Sequence, residues 1–286
     1  MLSACALALA GTLYGASTAP LAWVLNSGVD AETFLSLRFA FAAVALLLFC
    51  RRPVTDPVGL LRAGAGCGVA LAGSYACLIH GLPATGSTTA GVLVSGFGIW
   101  AAGIDALVRR RAPSRSAVAA LVVAGSGLLL LCGSGAGLGA VLAASVLLAV
   151  HLLLLAAAAP NVDVLQLTAV QSLIVALVYA GPAMSAGTVG LDATGWLLTA
   201  ALGIGVSGGA YLLQAIGQSV VPAATAGLLL MTEPVSAVLV GWAAGDRPGL
   251  VSAAGLGLIV LALLFAVRTP PGEIASRPRP SVALSG

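Results

Sequence analysis

The sequence predicts an all-α integral membrane protein with ten transmembrane helices, built as two inverted five-helix repeats. Three observations carry this: a near absence of charge, apolar runs of spanning length, and an internal repeat relating the two halves. Of 286 residues, 60% are hydrophobic and 7% charged, and the mean hydropathy is +1.11. A soluble domain carries about 25% charged residues, so this chain has too few to cover a water-facing surface. The runs are dominated by Ala, Gly, Val and Leu and lack the alternation of a membrane barrel strand. A helix satisfies its own backbone, which lipid cannot do, and is therefore the spanning element.

The first apolar segment, near residues 4–25, starts without the basic flank of a signal peptide and runs on through "LAWVL" to "NSGVDAE". Residues 32–50 form the second, closed by "RRPVTDP", and 60–81 the third, closed by "GLPATG". The fourth, 85–107, stops at "RRRAPSR", and the fifth, 115–133, at "GSGAG". Segments 137–158 and 164–184 are separated by "APNVD"; 195–216 follows "AGTVGLDATG", 221–243 follows "GQSVVP" and 248–267 follows "GDRPG". The separators hold residues that turn or break a helix, and the segments are close to the ~20 residues that a spanning helix needs. The final stretch, 269–286, has four prolines and mixed charge, the composition of a disordered tail.

All twelve basic residues are Arg. With the N-terminus inside, Arg51, Arg52, Arg62, Arg109, Arg110, Arg111 and Arg115 fall on the inner side, with Arg268, Arg277 and Arg279 in the tail. Only Arg247 falls outside, among Asp30, Glu32, Asp192 and Asp246, while Arg38 lies within a span. The positive-inside rule then puts both termini in the cytoplasm. No basic face exists for nucleic acid. The five cysteines lie in or beside apolar runs without CxxC or Cys/His spacing, so neither a zinc site nor a disulfide framework is indicated.

Shifted by 136 residues, "GSYACLIHGLPATGSTTAGVLVSGFGIWAA" lies over "GAYLLQAIGQSVVPAATAGLLLMTEPVSAV" without a gap. Tyr75 meets Tyr211, and Thr89-Ala90-Gly91 meets Thr225-Ala226-Gly227. Five spans per half is an odd number, so the halves, 1–133 and 134–268, are inverted with respect to each other. Inverted halves place a site at the midplane between them.

Several stretches also resemble a known family over residues 1–268. "GTLYGASTAPLAWVL" is similar to its first helix, with Tyr14 where Trp is usual, and "FLSLRFAFAAVALLL" to its second, with Arg38 at the family's arginine. "TEPVSAVLVGWAAGDRPGLVSAAGLGLIVLALL" is similar to its ninth and tenth, with Glu233-Pro234 at a Glu-Pro and Asp246-Arg247 replacing a Glu-Arg. The ordered set resembles the drug/metabolite transporter superfamily, in its ten-helix EamA-type branch. In the fourth helix the chain departs from the pattern, with "SGFGIW" where proline is frequent. The resemblance implies a secondary transporter in the bacterial cytoplasmic membrane. Its cargo is a small metabolite such as an amino acid, nucleoside or drug-like compound, moved by alternating access, with export as the expected direction. Proton coupling and simple facilitation are both compatible with it. It implies neither an enzyme nor a cofactor.

Glu233 is the leading site candidate. It lies ~15 Å below the outer end of its span at 1.5 Å per residue, where a carboxylate costs at least ~2.5 kcal/mol. It must face water, accept hydrogen bonds, pair, or hold a proton. Pro234 removes an N–H and frees the carbonyl near Leu230, a hinge beside a carboxyl group. Arg38 either reaches Glu233 or snorkels to headgroups or Glu32. Tyr75 and Tyr211 line a cavity from opposite halves or pack. Gln171 is a cavity wall or interhelical glue, and Gln214 sits one turn beyond Tyr211. His151 relays protons or packs. Trp100 is deep enough to face the cavity, whereas Trp23 and Trp196 read as interfacial anchors.

Two other functions fit less well. "GVSGG" around Ser207 resembles the GxSG of rhomboid-type intramembrane serine proteases, but both histidines precede the serine. A close helix contact through Gly205 and Gly209 is the simpler account. A non-transporting accessory subunit would tolerate replacement of every polar midplane residue. The topology has a direct test: a reporter fused after residue 268 should be active only if it is a cytoplasm-dependent one. Strong activity of a periplasm-dependent reporter there would overturn both the orientation and the inverted halves.

Overall fold

Among the described residues helices account for the regular structure, as expected where lipid leaves each peptide group to find its partner within its own segment. A computed structural model describes residues 1–85, 93–109, 137–186 and 190–243, with scattered positions among 118–126 and 250–261. Among the described residues seven helices are long and apolar enough to cross a membrane: Leu2–Asn26, Ala31–Phe49, Pro57–Gly81, Leu138–Ala158, Val164–Met184, Ala193–Gln218 and Ala223–Ala243. They correspond to the first three and the sixth to ninth apolar segments. The fourth is present in part, as Phe97–Arg109. Most of the fifth and tenth, and all of the tail, lie outside the described residues. The protein is a multi-pass, all-α membrane protein.

The first span divides at Ser17 into α1 (Leu2–Ala16) and α2 (Thr18–Asn26). There the Ser17 hydroxyl donates to the Tyr14 carbonyl at 2.6 Å and the Thr18 hydroxyl to that of Gly15 at 2.8 Å. α3 (Ala31–Phe49) opens on Asp30, whose carboxylate accepts from the Thr33 N–H at 2.9 Å, a standard N-cap. α4 (Pro57–Thr85), α5 (Phe97–Arg109), α6 (Leu138–Ala158) and α7 (Val164–Ala186) follow. The eighth span is continuous but changes its winding. α8 (Ala193–Ala201) passes into a nine-residue π-helical segment, Leu202–Ala210, and then into α9 (Tyr211–Gln218).

The ninth span is broken at Leu230–Met231, between α10 (Ala223–Leu229) and α11 (Thr232–Ala243). Pro234 therefore falls in the first turn of a new helix, where its missing N–H costs least. The Leu230 carbonyl is not left free, contrary to the sequence expectation: the Glu233 N–H takes it at 2.9 Å in a tight turn. In the first half the chain also turns at Ser95–Gly96, just before α5, although no proline is present there. Gly96 supplies the break instead, with its N–H bonded to the Leu93 carbonyl at 3.1 Å.

Packing pairs recur between the halves. α1 lies against α11, and α6 lies against α5; α4 meets α6, and α9 meets α1; α4 packs on α7, and the π segment on α3. Backbone touches backbone where α5 crosses α10. A Cβ added to Gly98 would lie 2.7 Å from the Gly227 carbonyl oxygen, and one on Gly227 would lie 2.6 Å from Gly98 Cα. α1 and α11 are stitched by side chains instead, with Thr232 donating to the Ala8 carbonyl at 2.8 Å and Ser236 to that of Thr12 at 3.0 Å. A Cβ added to Gly205 or Gly209, expected as a close-packing pair, would meet no atom of a neighbouring helix within 4 Å among the described residues. The close approach in the π segment is made by Gly203, against the Arg38 carbonyl and Phe41.

Gly98→Val should therefore cost ~1–3 kcal/mol, the usual range for overpacking a tight contact, and lower the melting temperature in detergent. Gly103→Ala, where a Cβ meets nothing within 4 Å, should leave it unchanged. Equal melting temperatures for the two variants would contradict the described crossing.

Candidate functional site

Six of the seven spans, together with Val94 and with Phe97 of α5, line a cavity of about 230 Å³. It runs from Tyr211 and Gln214, deep in the bundle, to Leu25 and Ala31 at the end carrying the first interhelical connection. Its wall is mostly apolar, including Leu21, Phe34, Leu78, Ile79 and Phe97. Two charged residues lie on that wall, Arg38 from α3 and Glu233 from α11. Phe97 and Glu233, which the 136-residue shift superimposes, both line it.

Arg38 is 3% exposed, so it does not snorkel to headgroups. Its Nε donates to Ser207 Oγ at 2.7 Å, a bond strengthened by the charge on the donor, and its guanidinium lies 5.8 Å from the Phe39 ring centre. The π segment holds Ser207 in place for this bond. The sole ion pair among the described residues is Arg52–Asp163 at 3.5 Å; none joins Arg38 to Glu233. Glu233 is half-buried and sits in the first turn of α11, where the positive end of the helix dipole favours a carboxylate.

The deep end is closed by aromatic side chains. The hydroxyls of Tyr75 and Tyr211 lie 3.3 Å apart, one from each half, at positions 136 residues apart in the chain. Tyr211 packs on Tyr14 at 5.1 Å between ring centres and Phe39 on Tyr75 at 5.5 Å. Such pairs contribute ~0.5–1.5 kcal/mol each beyond their buried area. A polar chain continues behind them: Tyr14 OH donates to Gln214 Oε1 at 2.7 Å, Gln214 Nε2 to Gln218 Oε1 at 3.0 Å, and Gln218 Nε2 to the Leu152 carbonyl at 2.8 Å. His151 stands edge-on to Tyr211 at 5.8 Å and bonds through Nε2 to Gln171 Oε1 at 3.1 Å.

Residues 135–268 match the EamA-like transporter family. The match takes in the second half of the chain, including Glu233-Pro234. This likeness is to membrane transporters of the drug/metabolite type. A solved protein crystal structure shares the fold of this chain with a TM-score of 0.76, covering 92% of this chain and 98% of that one at 20% identity. No curated relative matches.

Of the residues singled out in the sequence, Glu233, Arg38, Tyr75, Tyr211 and Gln214 are brought together on one cavity. Gln171 and His151 are fully buried behind Tyr211 and do not line it. Pro234 is buried just beneath Glu233 at the helix break. Trp100 is not on the cavity wall: it is 43% exposed, on a face it shares with Gly103 and Leu107, while Phe97 and Ala101 take the buried face of α5. Tyr14 was legible only as a departure from the family's Trp, yet it lies on the wall and anchors Gln214. Its one sequence signal is a lone phenol inside an apolar span. Ser207, weighed as a nucleophile, gives its oxygen to Arg38, while the His151 bond goes to Gln171.

Ser207→Ala should remove one charge-assisted hydrogen bond from a buried arginine and cost ~1.5–3 kcal/mol of stability. Thermal unfolding of the purified protein reads this out. Unchanged stability would remove Ser207 as the partner that fixes Arg38, and labelling of Ser207 by a fluorophosphonate would reinstate the hydrolase reading.

Proposed function

We propose that this protein is a secondary transporter of a small metabolite, an exporter that works by alternating access through the cavity between its halves. The carrying observation is that Glu233 and Arg38, two intramembrane charges from different halves, face one cavity without pairing with each other. Ionisable groups at this depth are costly and mark substrate or ion pathways. Ten helices in two inverted sets, 1–133 and 134–268, remain the architecture we propose. The exchange-related packing pairs and the Tyr75–Tyr211 contact support it.

With the arginine-rich ends in the cytoplasm of a bacterial cell, the cavity faces outward and the aromatic cluster closes the inner side. Passage requires the Tyr75–Tyr211 and Tyr14–Gln214 bonds to open. Each is worth ~0.5–1.5 kcal/mol net, a small barrier for helices that rock on the microsecond-to-millisecond scale. Tyr75, Tyr211 and Gln214 thus serve as both cavity floor and inner gate, with His151 and Gln171 bracing the gate from behind. Pro234 places the break that lets α11 tilt relative to α10. Glu233 is the group that carries a proton or meets a cationic cargo, so an imposed pH gradient should change the rate of flux in proteoliposomes.

Glu233→Gln should express and melt like the wild type, because no cation among the described residues pairs with Glu233. Transport, or its response to a pH gradient, should be lost. A buried partner stranded by the change would instead cost ~3–5 kcal/mol, visible as poor expression that replacing Arg38 relieves. Full, pH-responsive transport by Glu233→Gln would refute the assignment, and flux unaffected by replacing any cavity residue would point to an accessory subunit.

A further inference from the structure

The second and seventh spans, α3 and α7, pack on each other and are partners under the 136-residue shift. The shift lays Ser36 over Ser172 and Ala40 over Ala176. Ser36 and Ala40 lie one turn apart on one face of α3, and Ser172 and Ala176 one turn apart on one face of α7. Gly64 meets Val170 and Gly68 meets Ile174, so α4 and α7 run the same way. α3 is joined to α4 by the short connection 50–56 and runs against both. In this antiparallel crossing a Ser36–Ala176 rung is followed, one turn on, by an Ala40–Ser172 rung. The shift exchanges the two.

One rung is bonded and the other is not. The Ser36 hydroxyl donates to the Ala176 carbonyl at 3.1 Å. Ser172 is fully buried, and its hydroxyl has no hydrogen-bond partner among the described residues. Buried hydroxyls are almost always bonded, and this one lies on the face that α7 turns toward α3. The other hydroxyls that tie helices together have no such twin. Ser74, Ser145, Thr232 and Ser236 fall under the shift on Ala210, Leu9, Gly96 and Trp100. Inverted halves reach their opposite-facing state by exchanging conformations, so each contact gives way to its shifted twin. We infer that Ser172 is a positioning residue of the inward-facing state, in which the Ser36–Ala176 bond breaks, α7 shifts against α3, and Ser172 donates to the Ala40 carbonyl instead. One bond is traded for an equivalent one, so this interface favours neither state strongly. A balance of states is set only by contacts that differ between them, and the two serines supply one to each. The inference rests on the alternating-access reading and names the residues that hold its two ends.

Maleimide labelling of single cysteines tests it in the full-length protein, held in nanodiscs with the five native cysteines replaced by alanine. Two reporters are used, Ala31→Cys on the cavity wall and its shifted twin Leu167→Cys. Leu167 is fully buried against Leu60, Leu155 and Ala215, so a cysteine there reacts only when the inner side opens. The ratio of the two labelling rates, at 167 over 31, follows the ratio of inward-facing to outward-facing protein. Ser172→Ala should lower it about two- to twelvefold, the range that one net hydrogen bond supplies, and should leave the melting temperature unchanged. Ser36→Ala should raise the ratio by a similar factor and lower the melting temperature. The double variant should return close to the parent ratio, because each state then lacks one bond. A ratio that Ser172→Ala leaves unchanged, or moves in the same direction as Ser36→Ala, overturns the inference. So does a loss of stability in Ser172→Ala as large as that in Ser36→Ala. The two levels fail differently. A cysteine at 167 that reacts in no variant defeats the alternating-access reading and the inference with it, whereas one that reacts at a rate indifferent to residue 172 defeats the inference alone.

Discussion

Water does not reach the middle of a bilayer to hydrogen-bond a peptide group, so a helix can be interrupted there only where protein surrounds the interruption. This protein interrupts its spans at Ser17, at Ser95–Gly96 and at Leu230–Met231, and rewinds one over Leu202–Ala210. The first three sit beside residues that line the cavity, and the fourth presents Ser207 to Arg38. Hydroxyls from Ser17 and Thr18, or tight turns such as Glu233 to Leu230, take up the carbonyls that regular winding would have used. The irregular backbone and the cavity thus depend on one another. The breaks create space between helices, and the enclosed space is where breaks are tolerated.

The same economy governs polar side chains. Ser74 donates to the Ala144 carbonyl, Ser145 to that of Val94, and Tyr179 to that of Ala72. Each bond joins two different helices, and in lipid, where apolar surfaces gain little by meeting one another, such bonds and close packing do the work of association. Arg38 follows the rule with a charge. Its bond to Ser207 links the second span to the eighth and holds the guanidinium on the cavity wall.

Much of the fold was legible because it follows from one-dimensional quantities. Seven of the apolar segments appear as helices of spanning length, and the ungapped shift that aligned Tyr75 with Tyr211 placed two residues that touch. The proline at 234 marked a helix break, though Gly96 shows that the matching break needs no proline. What stayed hidden depended on rotation and distance. Trp100 and Phe97 are three residues apart, and depth alone could not tell which of them turns inward. Ser207 and Arg38 are 169 residues apart, and a serine among glycines reads equally as packing. The π winding between Leu202 and Ala210 has no marker beyond its glycines.

The crossing at Gly98 and Gly227 has a mechanical consequence. Two helices that touch backbone to backbone at one pair of glycines resist sliding along each other, because a shift along either axis brings the next side chains of the same face, three or four residues away at Ala101, Ala102, Ala223 or Leu230, to a gap that has no room for them. They can still turn about the point of contact. Any rearrangement that keeps this contact is therefore a scissor motion with its fulcrum at the two glycines. In such a motion Phe97 and Glu233, each within a turn or two of the fulcrum, travel only short arcs while the far ends of the helices sweep the longest ones.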